Sequence, residues 1–141
     1  MTIKTELIHP NTIPYVWIEV KPLIEKALAH SDGEYSVEDI LEYLLNREMS
    51  LWLGTKNNNI DYALVTEVKK LPRKKCLSIV TISSKSGYGL TPWLKSLPII
   101  EEYALNCGCD YLEAWCRKGL ARKLKWDNEY SVITKTIQKG A

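Results

Sequence analysis

Phenylalanine is missing from this 141-residue chain, and histidine and methionine occur only twice each. Without Phe, the large core groups must come from the five tryptophans, Trp17, Trp52, Trp93, Trp115 and Trp126, beside the aliphatic residues. His9 and His30 fall in a predicted turn and at a predicted helix end, where capping or solvent contact explains them better than acid–base work. The four cysteines, Cys76, Cys107, Cys109 and Cys116, include no C-x-x-C pair, so they offer no zinc ligand set of the usual spacing. No run reaches the roughly 20 apolar residues of a membrane span.

Charge of one sign is also scarce. The formal net charge is +2, which argues against a dedicated nucleic-acid binder, because such domains gather a larger basic excess on one face. The basic run KKLPRKK, Lys69 to Lys75, brackets Pro72 and reads as a solvated hairpin tip. No basic-then-apolar leader opens the chain, so a reducing cytoplasm and free thiols are expected.

What is present is ordinary soluble composition, 26% charged and 45% hydrophobic. The length suits one domain, residues 1–141, with a core of its own. Ile3, Thr5 and Leu7 alternate with Lys4 and Glu6 in a first strand, Thr2 to Ile8. Thr12 can cap a helix with Pro14 in its first turn, and Pro22 predicts a kink or a division into two short helices. Ser36, followed by Glu38 and Asp39, caps a second helix striped by Ile40, Leu41, Leu44 and Leu45.

The apolar period then drops to two. Ser50 to Thr55 is a strand, Asn57 to Asn59 a hairpin turn, Ile60 to Lys69 its partner, and Lys75 to Ser83 a returning strand that is apolar on both faces. Thr91 and Pro92 open a helix whose face is Trp93, Leu94, Leu97, Ile100, Tyr103, Ala104 and Leu105, and Gly108 stops it. Tyr111 to Cys116 reads as a strand, Leu120 to Leu124 as a short basic helix, and Tyr130 to Ile137 as a closing strand. The chain is organised round Cys76 to Gly108: strand, Ser/Gly turn and helix start can turn backbone N–H groups toward one anionic point.

This order of elements resembles the GNAT superfamily of N-acetyltransferases over nearly the whole chain, and within it the small GNAT-like proteins of tailed bacteriophages. The likeness to the phage group is carried by SDGEYSVEDILEYLLNREMSLWL, Ser31 to Leu53, and EEYALNCGCDYLEAWCRKGLARKL, Glu101 to Leu124. The resemblance implies an α/β (α+β) fold, a mixed and mainly antiparallel central sheet flanked by helices. It implies that Lys75 to Ser83 splays from Tyr111 to Cys116, so that the backbone near Val80 and Ile82 pairs with the pantetheine arm of acetyl-CoA as an extra strand would.

By the same resemblance Ser84, Lys85, Gly87, Gly89, Leu90 and Thr91 would hold the pyrophosphate. The family's loop carries Arg or Gln ahead of its glycine pair; in SSKSGYGLT the pair is Gly87 and Gly89, with Lys85 the upstream cation. The family's thiolate-protonating Tyr has no counterpart in LARKL after Gly119, and Tyr130 is the nearest. Glu67 and Glu113 are the candidate bases, since a carboxylate beside the cleft can relay a proton through water; pairing with a neighbouring Lys is the plainer role. Cys116 suits the core better than a nucleophile's position. The expected partners are an acyl-CoA and an amine, borne by a small molecule or by a phage or host protein. A GNAT-like domain without catalysis, acting as a binding or virion-associated protein, is the alternative.

Overall fold

The computed structural model describes residues 3–29, 33–85, 91–114, 124–127 and 133–138. Five strands, β1 (Lys4–Ile8), β2 (Ser50–Lys56), β3 (Asn59–Lys70), β4 (Lys75–Ser84) and β5 (Tyr111–Ala114), form one sheet in the order β1-β2-β3-β4-β5. Its first three pairings are antiparallel, and β4 with β5 is parallel. The parallel pair needs a crossover, supplied by α3 (Thr91–Leu94) and α4 (Leu97–Asn106). The opposite face is covered by α1 (Ile13–Leu28) and α2 (Val37–Leu45). This is the mixed, mainly antiparallel α/β architecture expected.

Two cores follow from the period of two. Leu51, Leu53, Ala63 and Val65 pack with Val20, Leu23, Ile24, Ile40 and Leu44 beneath α1 and α2. Trp52, Tyr62, Leu64, Leu77 and Ile79 pack with Trp93, Ile100 and Ala104 beneath α3 and α4. Trp52 and Trp93 are buried, so two tryptophans do stand in the Phe-free core, while Trp115 lies outside the described residues.

Local signals set several boundaries. Ser36 and Asp39 form a reciprocal capping box, Asp39 N–H donating to Ser36 Oγ at 3.1 Å and Ser36 N–H to Asp39 Oδ2 at 2.9 Å. Asn57 and Asn58 turn the β2–β3 hairpin at φ 53° and 66°. Gly108 ends α4 at φ 79°, with Cys109 N–H reaching back to the Ala104 carbonyl at 2.8 Å.

Other expectations fail. Of the two outcomes expected at Pro22, a division of α1 does not occur, since the helix runs through it; Pro22 is exposed, as is Ile18, whose carbonyl the proline cannot bond and which water can satisfy. Thr12 makes no side-chain cap. The helix after Thr91 is two pieces, because Pro98 has no N–H for the Leu94 carbonyl and the chain turns at Lys95 and Ser96 before α4 begins. Leu105, placed on the helix's buried face, is 72% exposed on α4.

The closing strand is not formed over the described part of its range: residues 133–138 are irregular and exposed, with Ile133 and Ile137 in solvent. Alternation of side chains makes a strand only where a partner ladder takes the backbone groups. β5 is described to Ala114, so the expected Trp115 and Cys116 fall outside the described residues, as do residues 120–123 of the short helix. Leu124 packs on the second core. Among the described residues no helix is long and apolar enough to cross a membrane.

Candidate functional site

The site is built on β4. Opposite β3, Val65 faces Thr81 and Thr66 faces Ile79, so β4 carries one residue more than its partner, and that residue is Val80. Such a bulge re-aims the side chains on either side of it. Leu77 and Ile79 point to the α4 core, Val80 to the α1 core, and Ile82 to the α4 core again.

The bulge stands just beyond the described pairing with β5. β5 pairs with β4 from Cys76 opposite Tyr111 to Ile79 opposite Ala114, and residues 80–83 have no β5 partner among the described residues. Lys85 N–H donates to the Asp61 carbonyl at 2.7 Å, which fixes the phase of the β3–β4 ladder. By alternation the backbone groups of Ser84 and Ile82 point away from β3, toward the β5 side. Lys26 Nζ of α1 donates to the Ser84 carbonyl at 3.1 Å, which agrees with this direction. Val80 and Ile82 thus stand where an extended ligand can add to β4.

Lys85 follows directly, its Nζ 3.7 Å from Glu19 Oε2 of α1. Both groups are about half exposed, so the pair is weak and Lys85 can exchange Glu19 for another anion. Gly87, Gly89 and Leu90 lie outside the described residues, and Thr91 is described only as the first residue of α3. Because α3 is four residues long, the dipole of a long helix expected behind the loop is reduced to one turn.

The two candidate bases come together. Glu67 of β3 faces Ser78 of β4, and Ser78 faces Glu113 of β5. Residues directly opposite share a face, so Glu67, Ser78 and Glu113 form one row across three strands, with neighbouring strands about 4.8 Å apart. Alternation against Leu77 and Ile79 puts the row on the α1–α2 face, two residues before the bulge.

Its surroundings are polar. Glu113 Oε2 is 3.8 Å from Lys69 Nζ, with both side chains about one-third exposed. Tyr35, packed on the first core, has its phenol pushed up by burial first and then by the charges of Glu67, Tyr43 and Glu34. Burial raises the Cys76 thiol as well, and Glu113 adds to the effect. A row with two carboxylates and one buried hydroxyl can hold a cationic amine and accept its proton.

His9, by contrast, caps a turn, its Nδ1 accepting from Asn11 N–H at 3.1 Å. His30 and Cys116 lie outside the described residues. Ser78, the Val80 bulge and Lys26 escaped the reading of the sequence. A serine between Leu77 and Ile79 was the only visible sign of the first, and nothing local marks the other two.

No family model and no curated protein sequence matches the chain. Solved structures do. An aminoglycoside acetyltransferase from an uncultured soil metagenomic sample, in complex with sisomicin, superposes with a TM-score of 0.72 at 16% identity, covering 98% of this chain and 97% of that one. A GNAT family acetyltransferase of Staphylococcus aureus gives 0.67 at 15% identity over 97% and 100% of the two chains. A predicted acetyltransferase of Clostridium acetobutylicum, solved with acetyl-CoA, gives 0.66 at 10% identity over 94% and 96%. Likeness at this identity establishes the fold, which is that of the GNAT acetyltransferases.

Proposed function

We propose that the protein is an acyltransferase that takes an acetyl group from acetyl-CoA and passes it to an amine. The observation that carries this reading is the β4 backbone at Ile82, which has no β5 partner among the described residues and lies four residues beyond Ser78 of the row Glu67–Ser78–Glu113. One supplies backbone groups for an extended thioester arm, the other carboxylates for the amine.

In this reading the pantetheine arm adds to β4 beside Val80 and Ile82, and its amides pair with the backbone of Ile82. Ser84, Lys85, Gly87, Gly89, Leu90 and Thr91 hold the pyrophosphate, with Lys85 giving up Glu19 for it. Glu113 or Glu67 takes a proton from the incoming ammonium, directly or through water. The free amine then attacks the thioester carbonyl, the C–N bond forms, the C–S bond breaks, the nitrogen gives its remaining excess proton to water, and the departing thiolate takes a proton from water. No Tyr on a short helix after Gly119 is needed if solvent protonates the thiolate.

The acidic row favours an amine on a cationic molecule. That the similar metagenomic enzyme was solved with sisomicin agrees with a small polyamine as acceptor. The likeness of Ser31 to Leu53 and of Glu101 to Leu124 to phage proteins supports an amine on a phage or host protein as the other source. Panels of both, assayed by thiol release, separate them.

Thermal denaturation with acetyl-CoA tests the first step. Free ligand at about 100 times its dissociation constant adds roughly 2.7 kcal/mol to the native state, a shift of several degrees in Tm. An unchanged Tm at millimolar acetyl-CoA would exclude the enzyme and leave a GNAT-fold protein with a non-catalytic binding role.

A further inference from the structure

Three buried side-chain oxygens on the α1 face of β3 and β4 have no hydrogen-bond partner among the described residues: Thr81 Oγ1, Ser83 Oγ and Asp61 Oδ2. Thr81 is 5% exposed and Ser83 6%. Buried polar atoms are almost always satisfied, and three orphans side by side call for a common cause.

Their alignment is the work of the bulge. In a regular strand Ser78 would point opposite to Thr81 and Ser83. The extra residue at Val80 reverses the phase, so that Thr81 faces Val65, Ser83 faces Ala63, and both join Ser78 on the α1 side. Asp61 is the next position of that face on β3, opposite Lys85, whose contact with Glu19 of α1 confirms the side. The result is a polar line along β4. It starts at the acidic row, passes the bulge at Thr81 and Ser83, and ends at Asp61, where Glu19, Lys26 and Lys85 meet solvent.

Successive positions on this face are about 6.7 Å apart along the strand. Water bonding two oxygens at about 2.8 Å each spans most of that distance, and a buried water is stable where it finds about three polar partners. The remaining orphan, Trp93 Nε1, belongs to the opposite core and is no part of this line.

The geometry points to an internal water chain bridging Thr81, Ser83 and Asp61, which serves as the exit path for the proton released in acyl transfer. The second half of this inference rests on the function proposed above; the first does not. Each hydroxyl accepts one proton from the water behind it and passes its own to the water ahead. Asp61 holds the last one until it leaves past Lys85 to bulk water. No oxidant or further reactant is involved.

Thr81→Val, which keeps the shape and removes the hydroxyl, separates a wet line from a dry one. In a dry line it deletes an unsatisfied polar group and raises Tm; in a hydrated line it strands water and lowers Tm by about 3 °C. Thr81→Ser keeps the wild-type value, and Ser83→Ala combined with Thr81→Val is non-additive, because the two share water. A raised Tm in Thr81→Val overturns the water chain.

For the relay, Thr81→Val and Asp61→Asn each lower kcat by about tenfold or more at unchanged KM for acetyl-CoA, and both change the solvent deuterium isotope effect on kcat. A lower Tm with kcat and the isotope effect unchanged means that the water is structural only, and the relay is wrong. If the wild type transfers no acetyl group to any amine, the function proposed above falls and the relay with it. The Tm comparison still decides the hydration.

Discussion

Gly54 lies directly against the ring of Tyr62, its partner across the β2–β3 ladder. A Cβ at Gly54 would be driven into Cδ2, Cε2 and Cζ of that ring. The ring cannot move away, because Tyr62 is fully buried and its hydroxyl is held beside Thr5 Oγ1, which in turn donates to Ser96 Oγ at 2.7 Å. Strand β1, strand β3 and the joint between α3 and α4 therefore meet at one phenol.

Gly54→Ala is expected to destabilise the fold by about 1–3 kcal/mol, as overpacking does, read as a lower urea midpoint at unchanged slope. Tyr62→Phe keeps the ring and loses only the hydroxyl network, for about 1 kcal/mol. If Gly54→Ala proved neutral, the ring would have room that the structure does not show.

The reciprocal cap of α2 gives a second expectation. Ser36→Ala removes the acceptor for Asp39 N–H at the end of the helix that covers the first core, and is expected to cost about 1 kcal/mol. Ser36→Asp should recover most of it, since an aspartate also accepts there and suits the positive end of the helix. Equal loss in both variants would show that the cap is not what holds this helix.

That cap was legible because its signal is local: one residue with its acid three positions on. The β2–β3 hairpin at Asn57 and Asn58, the stop at Gly108 and the three-stranded meander were legible for the same reason. The break at Ser96 was visible in Pro98 yet outweighed by the apolar spacing from Trp93 to Ala104, whereas the exposure that lets α1 continue through Pro22 cannot be read from the chain. At the site, Glu67 and Glu113 could be named by type, but their meeting across Ser78 depends on register in two ladders. The Val80 bulge is likewise a relation between strands, so the shared face of Ser78, Thr81 and Ser83 has no trace in the order of residues.

Burial raises the native pKa of the Tyr62 phenol and of the Cys76 and Cys109 thiols above their ordinary 10.0 and 9.0. An acid with a raised native pKa keeps its proton in the folded chain at a pH where the unfolded chain has lost it. Its contribution is whole below the unfolded value and is lost as pH rises through the native one. Tm should hold up to about pH 8.5 and fall from about pH 9 upward. Tyr62→Phe should flatten the part of the fall above about pH 10, while Cys76→Ala and Cys109→Ala act on the part near 9. A Tm that rose with pH in this range would contradict the burial of these groups.

The acidic row allows the two carboxylates to be told apart. Glu113 is held loosely by Lys69 at 3.8 Å on a part-exposed surface, so removing the lysine costs little stability and leaves the carboxylate free to meet a cationic amine. Glu67 has Tyr35 in its field on the α2 side of the row. If Glu113 takes the amine's proton, Glu113→Gln lowers kcat by about a hundredfold at unchanged Tm, and Lys69→Met lowers KM for the amine by freeing its carboxylate. Glu67→Gln then raises KM for cationic amines alone. The reverse pattern, a kcat loss in Glu67→Gln and a KM effect in Glu113→Gln, would assign the proton transfer to β3. Equal, small effects from both would place the base elsewhere on the α1 face, with Asp61 at the end of the β4 line the carboxylate then left to substitute.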